Sequence, residues 1–398
     1  VNPEVVQYFP TRNLEMYIVV KLRSLQTARA TCALAFDFAM AGASDAADGE
    51  LTDEQRAVYD RQLRVWGVDA QRRLGHAKFF VAGLSGLCAE ACKNVVLAGI
   101  GSVTLLEDGM LAQDAHPGNF LAHAGLADHQ GDVGALTVAQ AMGATLREMN
   151  PFGEVHVVGT RPVIGQGPST DSSFAQITEH ELTNMDVVLL CGASVLERER
   201  IGDISRAVGA SIFAGTVRGY AGDFVADLGV SFEHVVETTV TSVTAGALPE
   251  KVKTTKVCGF VPLRAALASQ WKDLAVGREG GMRRVSRLAA ASLSAVDFEK
   301  KIGRFPSNET DKKILIASIA VTERENGLNE GWMNPETVAE YVGHPNEEAP
   351  AVAAVVGGVL AQEMLRAVTK VGEPCRNGFF FAMDGGQGSV ENLGCPEV

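Results

Sequence analysis

From about residue 52 the chain alternates short apolar runs with longer segments of helical spacing. Residues 78–82, 102–106, 154–158, 186–190 and 211–214 are strand-length runs rich in Val, Leu, Ile and Phe, the pattern of strands buried in a parallel sheet. Between them the spacing predicts helices over 86–98, 133–149 and 195–208, and one near 173–181. Thr52-Asp53-Glu54-Gln55 reads as a capping box that starts a helix running to Trp66 and ending at Gly67. The helix over 133–149 stops before Asn150-Pro151, because a residue preceding proline avoids the helical region. Strands alternating with helices predict an α/β fold, with a parallel sheet covered on both faces.

After Gly215 the pattern changes. Residues 217–244 read as antiparallel strands and loops, and 263–342 as mainly helical. An unusually apolar helix follows Ala349-Pro350 and covers 351–368. Its Gly357-Gly358 pair costs about 1 kcal/mol per glycine against alanine, which makes sense if a backbone packs very close against the sheet. Residues 378–384 and 388–393 read as a hairpin. Four regions result: an N-terminal extension over 1–50, its status open and disorder included; a first part of the α/β domain over 51–217; an insertion over 218–342; and a final part over 343–398 that completes the sheet.

Composition narrows the function. The chain has 398 residues, 46% of them hydrophobic and 21% charged, the profile of an ordinary globular protein. Its formal net charge of -13 argues against nucleic acid as a partner, since phosphate-tracking surfaces need clustered Lys and Arg. By sequence, no apolar run reaches the roughly 18 residues of a membrane span, so no membrane partner is expected. Cys32, Cys88, Cys92, Cys191, Cys258, Cys375 and Cys395 form no CxxC pair, which argues against a zinc knuckle and for a reducing compartment. Cys88 and Cys92 lie one helical turn apart and read as buried packing rather than metal or redox ligands. No metal site is expected.

Candidate chemistry begins at Gly83-Leu84-Ser85-Gly86-Leu87-Cys88, where Ser85 and Cys88 replace two of the three glycines of the full GxGxxG pattern. Such a strand-to-helix turn lets backbone approach a phosphate at a helix N-terminus. A tight turn without ligand reads equally well. Glu107 and Asp108 close the second strand about 20 residues later, where an acid can accept ribose hydroxyls; a pair of solvated acids fits the same pattern.

Four motifs in order carry a resemblance. They are Tyr59-Asp60-Arg61-Gln62-Leu63-Arg64-Val65-Trp66-Gly67; Ala89-Glu90-Ala91-Cys92-Lys93-Asn94-Val95-Val96-Leu97-Ala98-Gly99; Ala349-Pro350 through Val355-Val356-Gly357-Gly358-Val359-Leu360-Ala361-Gln362-Glu363; and Asn377-Gly378-Phe379-Phe380-Phe381 with Asp384-Gly385. Over about 53–215 and 257–394 the chain resembles the ThiF/MoeB adenylating family. Within it, the chain is most similar to the non-catalytic subunits of activating enzymes for ubiquitin-like modifiers of the SUMO type. The resemblance implies a Rossmann-like adenylation fold with a smaller, mostly helical insertion.

The family's adenylating half grips the triphosphate and its magnesium with an arginine, a lysine and an aspartate. In this chain those positions read Gly118, Thr137, and Ala193 or Ser194. Without those charges the phosphates and metal are not stabilised, so the loop at Gly83 and Gly86, with Glu107 and Asp108, reads as vestigial. The resemblance implies that Arg61 crosses a dimer interface to ATP phosphates in a partner's site, a task suited to a permanently charged fork of donors. A surface arginine paired with a nearby acid is the other reading. Arg64, on the same face, either supports Arg61 or binds a carboxylate. Trp66 is an interface anchor or a core plug. His116 shows no ligand spacing, and Cys258 reads as structural.

The resemblance therefore implies a heterodimer with a larger catalytic subunit. It would use ATP and Mg in that subunit's site to adenylate the carboxylate of SUMO, then form a thioester on the larger subunit's cysteine. It also implies nuclear residence, with cytoplasm possible; Arg283-Arg284 is too short to be a localisation signal. The alternatives are a regulatory subunit for another modifier, a binding protein that keeps the fold without the chemistry, and a ThiF-like homodimer serving a sulfur carrier.

Overall fold

A computed structural model describes residues 51–106, 109, 117–127, 136–159, 173–240, 250–276, 281–335, 337–338, 347–383 and 387–394. The expected extension over 1–50 lies outside the described residues, as do Glu107, Asp108, His116 and the Asp384-Gly385 turn.

Two short helices, α1 (Asp53–Val58) and α2 (Asp60–Trp66), precede α3 (Val68–His76). The parallel unit is β1 (Lys78–Ala82), α4 (Gly86–Ala98), β2 (Ser102–Leu106), α5 (Phe120–Ala127), α6 (Val138–Met149), β3 (Glu154–Val158), α7 (Glu179–Leu182), β4 (Val187–Cys191), α8 (Val195–Val208) and β5 (Ser211–Arg218). Then come β6 (Ala221–Asp227), β7 (Phe232–Val240), β8 (Glu250–Cys258), α9 (Leu263–Ala266), α10 (Trp271–Leu274), α11 (Arg287–Ile302), α12 (Glu309–Glu325), α13 (Pro350–Thr369), β9 (Gly378–Ala382) and β10 (Gln387–Glu391).

Among the described residues the strands form an eight-stranded sheet of order β10-β9-β6-β5-β4-β1-β2-β3 and a separate ribbon, β7-β8. β3, β2, β1, β4 and β5 are parallel, with Phe79 opposite Val103 and Val187. β6, β9 and β10 extend the sheet antiparallel to one another. The strand order reverses direction at β1 and β4, the place where a doubly wound sheet leaves a crevice at its carboxyl ends.

Alternate residues of β1 serve two cores. Phe79 and Val81 pack with α4, α6 and α13, while Phe80 and Ala82 pack with α9, α10 and α11. The α/β fold is thus as expected, with helices on both faces, and the runs at 78–82, 102–106 and 154–158 are strands over the expected residues.

Several boundaries differ. The expected single helix over 52–66 breaks at Tyr59, whose buried ring is held by Asn150; the Thr52 capping box and the stop at Gly67 are present. Helices α3 and α5 were not anticipated, and among the described residues α6 starts at Val138, capped by Thr137. β5 runs on to Arg218 because β6 pairs along its whole length.

The expected domain boundary at 217/218 falls inside the sheet: β6 sits between β5 and β9, and α9–α12 share a core with the second face of that sheet.

The apolar helix α13 also departs from expectation. It spans 20 residues and is long and apolar enough to cross a membrane by length and composition, although Glu363 and Arg366 interrupt the run. Half of its apolar window is buried within the fold. The close approach at Gly357 is to α4 and not to the sheet: a Cβ there would meet Glu90 Cβ at 2.7 Å and Leu87 O at 3.3 Å. Gly358 has open space around it.

The two glycines therefore separate steric need from helix propensity. Gly357→Ala should lower stability by about 1–3 kcal/mol through overpacking. Gly358→Ala should leave stability unchanged or raise it by up to about 1 kcal/mol. Denaturant midpoints of the two variants check the contrast.

Candidate functional site

Two places were singled out by sequence: the crevice at the glycine loop, and the helix that carries Arg61. At the crevice, Gly83 follows β1 with φ +80, and a Cβ there would come within 1.9 Å of Cys191 O. The glycine is required because the loop rests on the end of β4. Gly86 opens α4, where a Cβ would lie 3.0 Å from the Gly118 backbone. Buried Asn119 fastens the loop, donating from Nδ2 to Leu84 O at 2.8 Å and accepting from Ala122 N at 3.0 Å. Ser85 is the N-cap of α4.

The positions where charges were missing have other work. Thr137 is a buried N-cap whose hydroxyl accepts from Gln140 N, completing a capping box for α6. Ser194 does the same for α8 with Glu197. Gly118 presents backbone to Gly86.

The polar groups gathered here come from distant segments. Arg198, 3% exposed, donates from Nε to Ala193 O at 2.8 Å. Arg218 lies with its guanidinium carbon 3.6 Å from the centroid of the Phe305 ring. Burial lowers its pKa to about 10, helped by the like charge of Arg198 and opposed by Asp223, Glu299 and Glu348. Asp223 is buried and its carboxyl is pushed upward by burial, opposed by Arg198, Arg218 and hydrogen bonds from Ser292 and Thr216. Glu299 Oε1 accepts from Val195 N at 2.9 Å, and Glu348 Oε2 accepts from Leu87 N at 3.0 Å.

Among the described residues, these groups are engaged with one another rather than open to a triphosphate. The amide at the head of α4 already has a carboxylate acceptor, and the two arginines sit among three acids. None of Asn119, Arg198, Arg218, Asp223, Glu299 and Glu348 was singled out by sequence. The capping boxes Thr137-x-x-Gln140 and Ser194-x-x-Glu197 carried a readable signal. Among the described residues no group of His, Cys, Asp and Glu has the arrangement of a metal site.

The second place is organised by Tyr59. Its ring is buried edge-on to Phe152, with centroids 6.1 Å apart, and its hydroxyl accepts from Asn150 Nδ2 at 2.9 Å. Burial raises the phenol's pKa, opposed by Asn150. Gly99, at φ +93, makes room for the ring. Asp60 binds Arg64 at 2.9 Å, so Arg64 takes a carboxylate on its own helix. Arg61 is exposed, with no hydrogen bond or ion pair to the described residues. Val65, one turn on, is 76% exposed.

Trp66 is half-buried and donates from Nε1 to Gln71 Oε1 at 3.0 Å. With Gln62, Leu97, Gly358, Ala361 and Leu365 it lines a groove of about 410 Å³ between α2, α4 and α13. It is thus both packed on the core and facing a surface. Cys88 and Cys92 are buried with their sulfurs 3.8 Å apart, and contact with the Cys88 sulfur, then burial, holds the Cys92 thiol well above its ordinary range. Cys258 lies on β8, 3.9 Å from His234 Nδ1.

The ThiF family pattern matches residues 59–397. The chain belongs to the ThiF family. SUMO-activating enzyme subunit 1B-1 of Arabidopsis thaliana is 32% identical over 349 residues, covering 86% of this chain and 98% of that protein. Subunit 1A of the same plant is 31% identical over 353 residues, covering 87% and 98%. SUMO-activating enzyme subunit 1 of Homo sapiens is 29% identical over 367 residues, with the same coverage. A crystal structure of E. coli MccB with succinimide is similar at a TM-score of 0.43 and 10% identity, covering 84% of this chain and 71% of that one. The matched ThiF span takes in both the crevice and the Arg61 helix.

Two measurements separate anchor from surface on that helix. Tyr59→Phe should cost about 1 kcal/mol, because it removes the hydrogen bond to Asn150, whereas Arg61→Ala should change stability by less than about 0.5 kcal/mol. Thermal melts of both variants check this. Cys375 gives a pH test. Burial, then the Glu363 carboxylate, raises its pKa to about 12. Its alkylation should be slow at pH 8 and rise about tenfold per pH unit as thiolate forms, followed by peptide mass spectrometry.

Proposed function

We propose that this chain is the smaller, non-catalytic subunit of a heterodimeric SUMO-activating enzyme. It would work beside a larger catalytic subunit that adenylates the SUMO carboxylate with ATP and magnesium and then carries SUMO as a thioester. In this reading the chain contributes scaffold, interface and Arg61. The observation that carries it is the state of Arg61: an exposed guanidinium with no carboxylate among the described residues, on a helix whose neighbouring Tyr59 is locked into the core. An arginine kept for a structural ion pair would look like Arg64, which has one.

Further support comes from the crevice, where Glu348 and Glu299 already accept from helix amides, and from the groove beside Trp66, where Leu97 remains exposed. Relatives that align over nearly their whole length bear the name SUMO-activating enzyme subunit 1 or a close variant of it. Nuclear residence belongs to the same reading.

Co-expression with the larger subunit from the same organism, followed by a thioester assay with ATP and SUMO, tests it. The pair should form the thioester on the larger subunit, and neither chain alone should. Arg61→Ala should co-purify normally yet slow adenylation by about tenfold or more, since a guanidinium placed on transferring phosphates is worth at least that much. Unchanged pyrophosphate exchange in the Arg61→Ala pair would remove the in-trans role. Exchange by the isolated chain would remove the non-catalytic one.

A further inference from the structure

Three observations meet at the carboxyl ends of β1 and β4. First, Glu348 Oε2 accepts from Leu87 N at 3.0 Å in the first turn of α4, and a Cβ on Gly86 would come within 2.6 Å of that oxygen. The carboxylate therefore rests against the α-carbon of a loop glycine, the approach that such loops keep for a phosphate. Second, Glu299 Oε1 takes the equivalent place on α8, accepting from Val195 N at 2.9 Å. Third, the segment bearing Glu348 is fastened. Glu347 O accepts from Gly219 N at 2.6 Å, and Ala349 N donates to Gly219 O at 3.1 Å, which bridges the segment to the turn between β5 and β6.

We propose that Glu348 is a built-in substitute for a nucleotide phosphate, held on the amino end of α4 by the Glu347–Ala349 strap, and that it closes this chain's own crevice to anions. The inference deepens the proposed function: it names the residue that keeps nucleotide out of this subunit. It goes further than the loss of gripping side chains. A crevice that had only lost its arginine, lysine and aspartate would still offer the amides of α4 to a weakly bound anion. Here the Leu87 amide faces a carboxylate and the Cys88 amide the Ser85 hydroxyl, and Asp223 and Glu299 stand close enough to act on the same buried Arg218. An incoming phosphate would have to displace one half-buried negative charge and enter beside two buried ones, Asp223 and Glu299, whose repulsion is little screened. Among the described residues, removing the Glu348 charge leaves Arg198 and Arg218 facing Asp223 and Glu299, and the helix end is again suited to an anion.

The test uses the full chain without its partner, and inorganic pyrophosphate as the probe. Glu348→Gln keeps an oxygen that can accept from Leu87 N, so it removes the charge with little change in packing; Glu348→Ala removes both. Pyrophosphate is titrated into the unaltered chain and both variants, with binding read by calorimetry and its place read from the Leu87 amide resonance. The expected result is a gain of at least about tenfold in affinity in both variants, with the Leu87 resonance moving only in them. Equal binding by the unaltered chain, no gain in either variant, or a gain that leaves the Leu87 resonance still would each overturn the proposal. None of these outcomes bears on whether the pair forms a thioester, so failure here is distinct from failure of the functional reading.

Discussion

Two helices, α4 and α8, start at the neighbouring carboxyl ends of β1 and β4, and their first amides need acceptors. The backbone dipoles of each helix concentrate positive potential there, and strands buried on both faces leave little access for water. A ligand or the chain itself must supply negative charge. In this molecule Glu299 and Glu348 do so, from positions more than a hundred residues away in sequence from the amides they accept from. That requirement draws the later part of the chain onto the parallel unit. With the carboxylates come Arg198 and Arg218 to balance them, Asp223 with its bond from Ser292, and Phe305 stacked on Arg218.

Legibility in sequence followed range. The strands at 78–82 and 102–106, the helix at 86–98 and the capping box at Thr52 are written in neighbouring residues, and they form as read. The sheet's parallel half was equally readable, because burial on both faces demands unbroken apolar runs. What depends on distant partners was not. Nothing near Gly357 says that its neighbour is Glu90 on another helix, and nothing near Tyr59 says that Asn150 will hold its ring and break a helix there. The boundary placed at 217/218 rests on the same kind of local signal. A change from parallel to antiparallel pattern looked like the start of a new unit, yet β6 continues the same sheet.

The Tyr59–Gly67 motif shows how one short helix divides its labour. Tyr59 faces inward and fixes the position. Asp60 and Arg64 pair along the surface, an exposed contact worth little in energy that sets the direction of one side chain. Gln62 and Trp66 line the groove, and Arg61 projects with no partner among the described residues. Reach with an always-charged fork is of use only if the helix beneath it does not shift, and the buried phenol supplies that rigidity.

Helix α13 connects the crevice to the groove. Its amino end continues directly from the strap that carries Glu348, and Gly358, Ala361 and Leu365 further along it line the Trp66 groove. About ten residues, or roughly 15 Å of helix, separate the crevice from the groove wall. Gly357 seats this rod directly on α4, where even one added carbon would meet Glu90 and Leu87. The inner crevice and the outer groove are thus reached by one continuous stretch of chain, the strap at one end and the second half of α13 at the other.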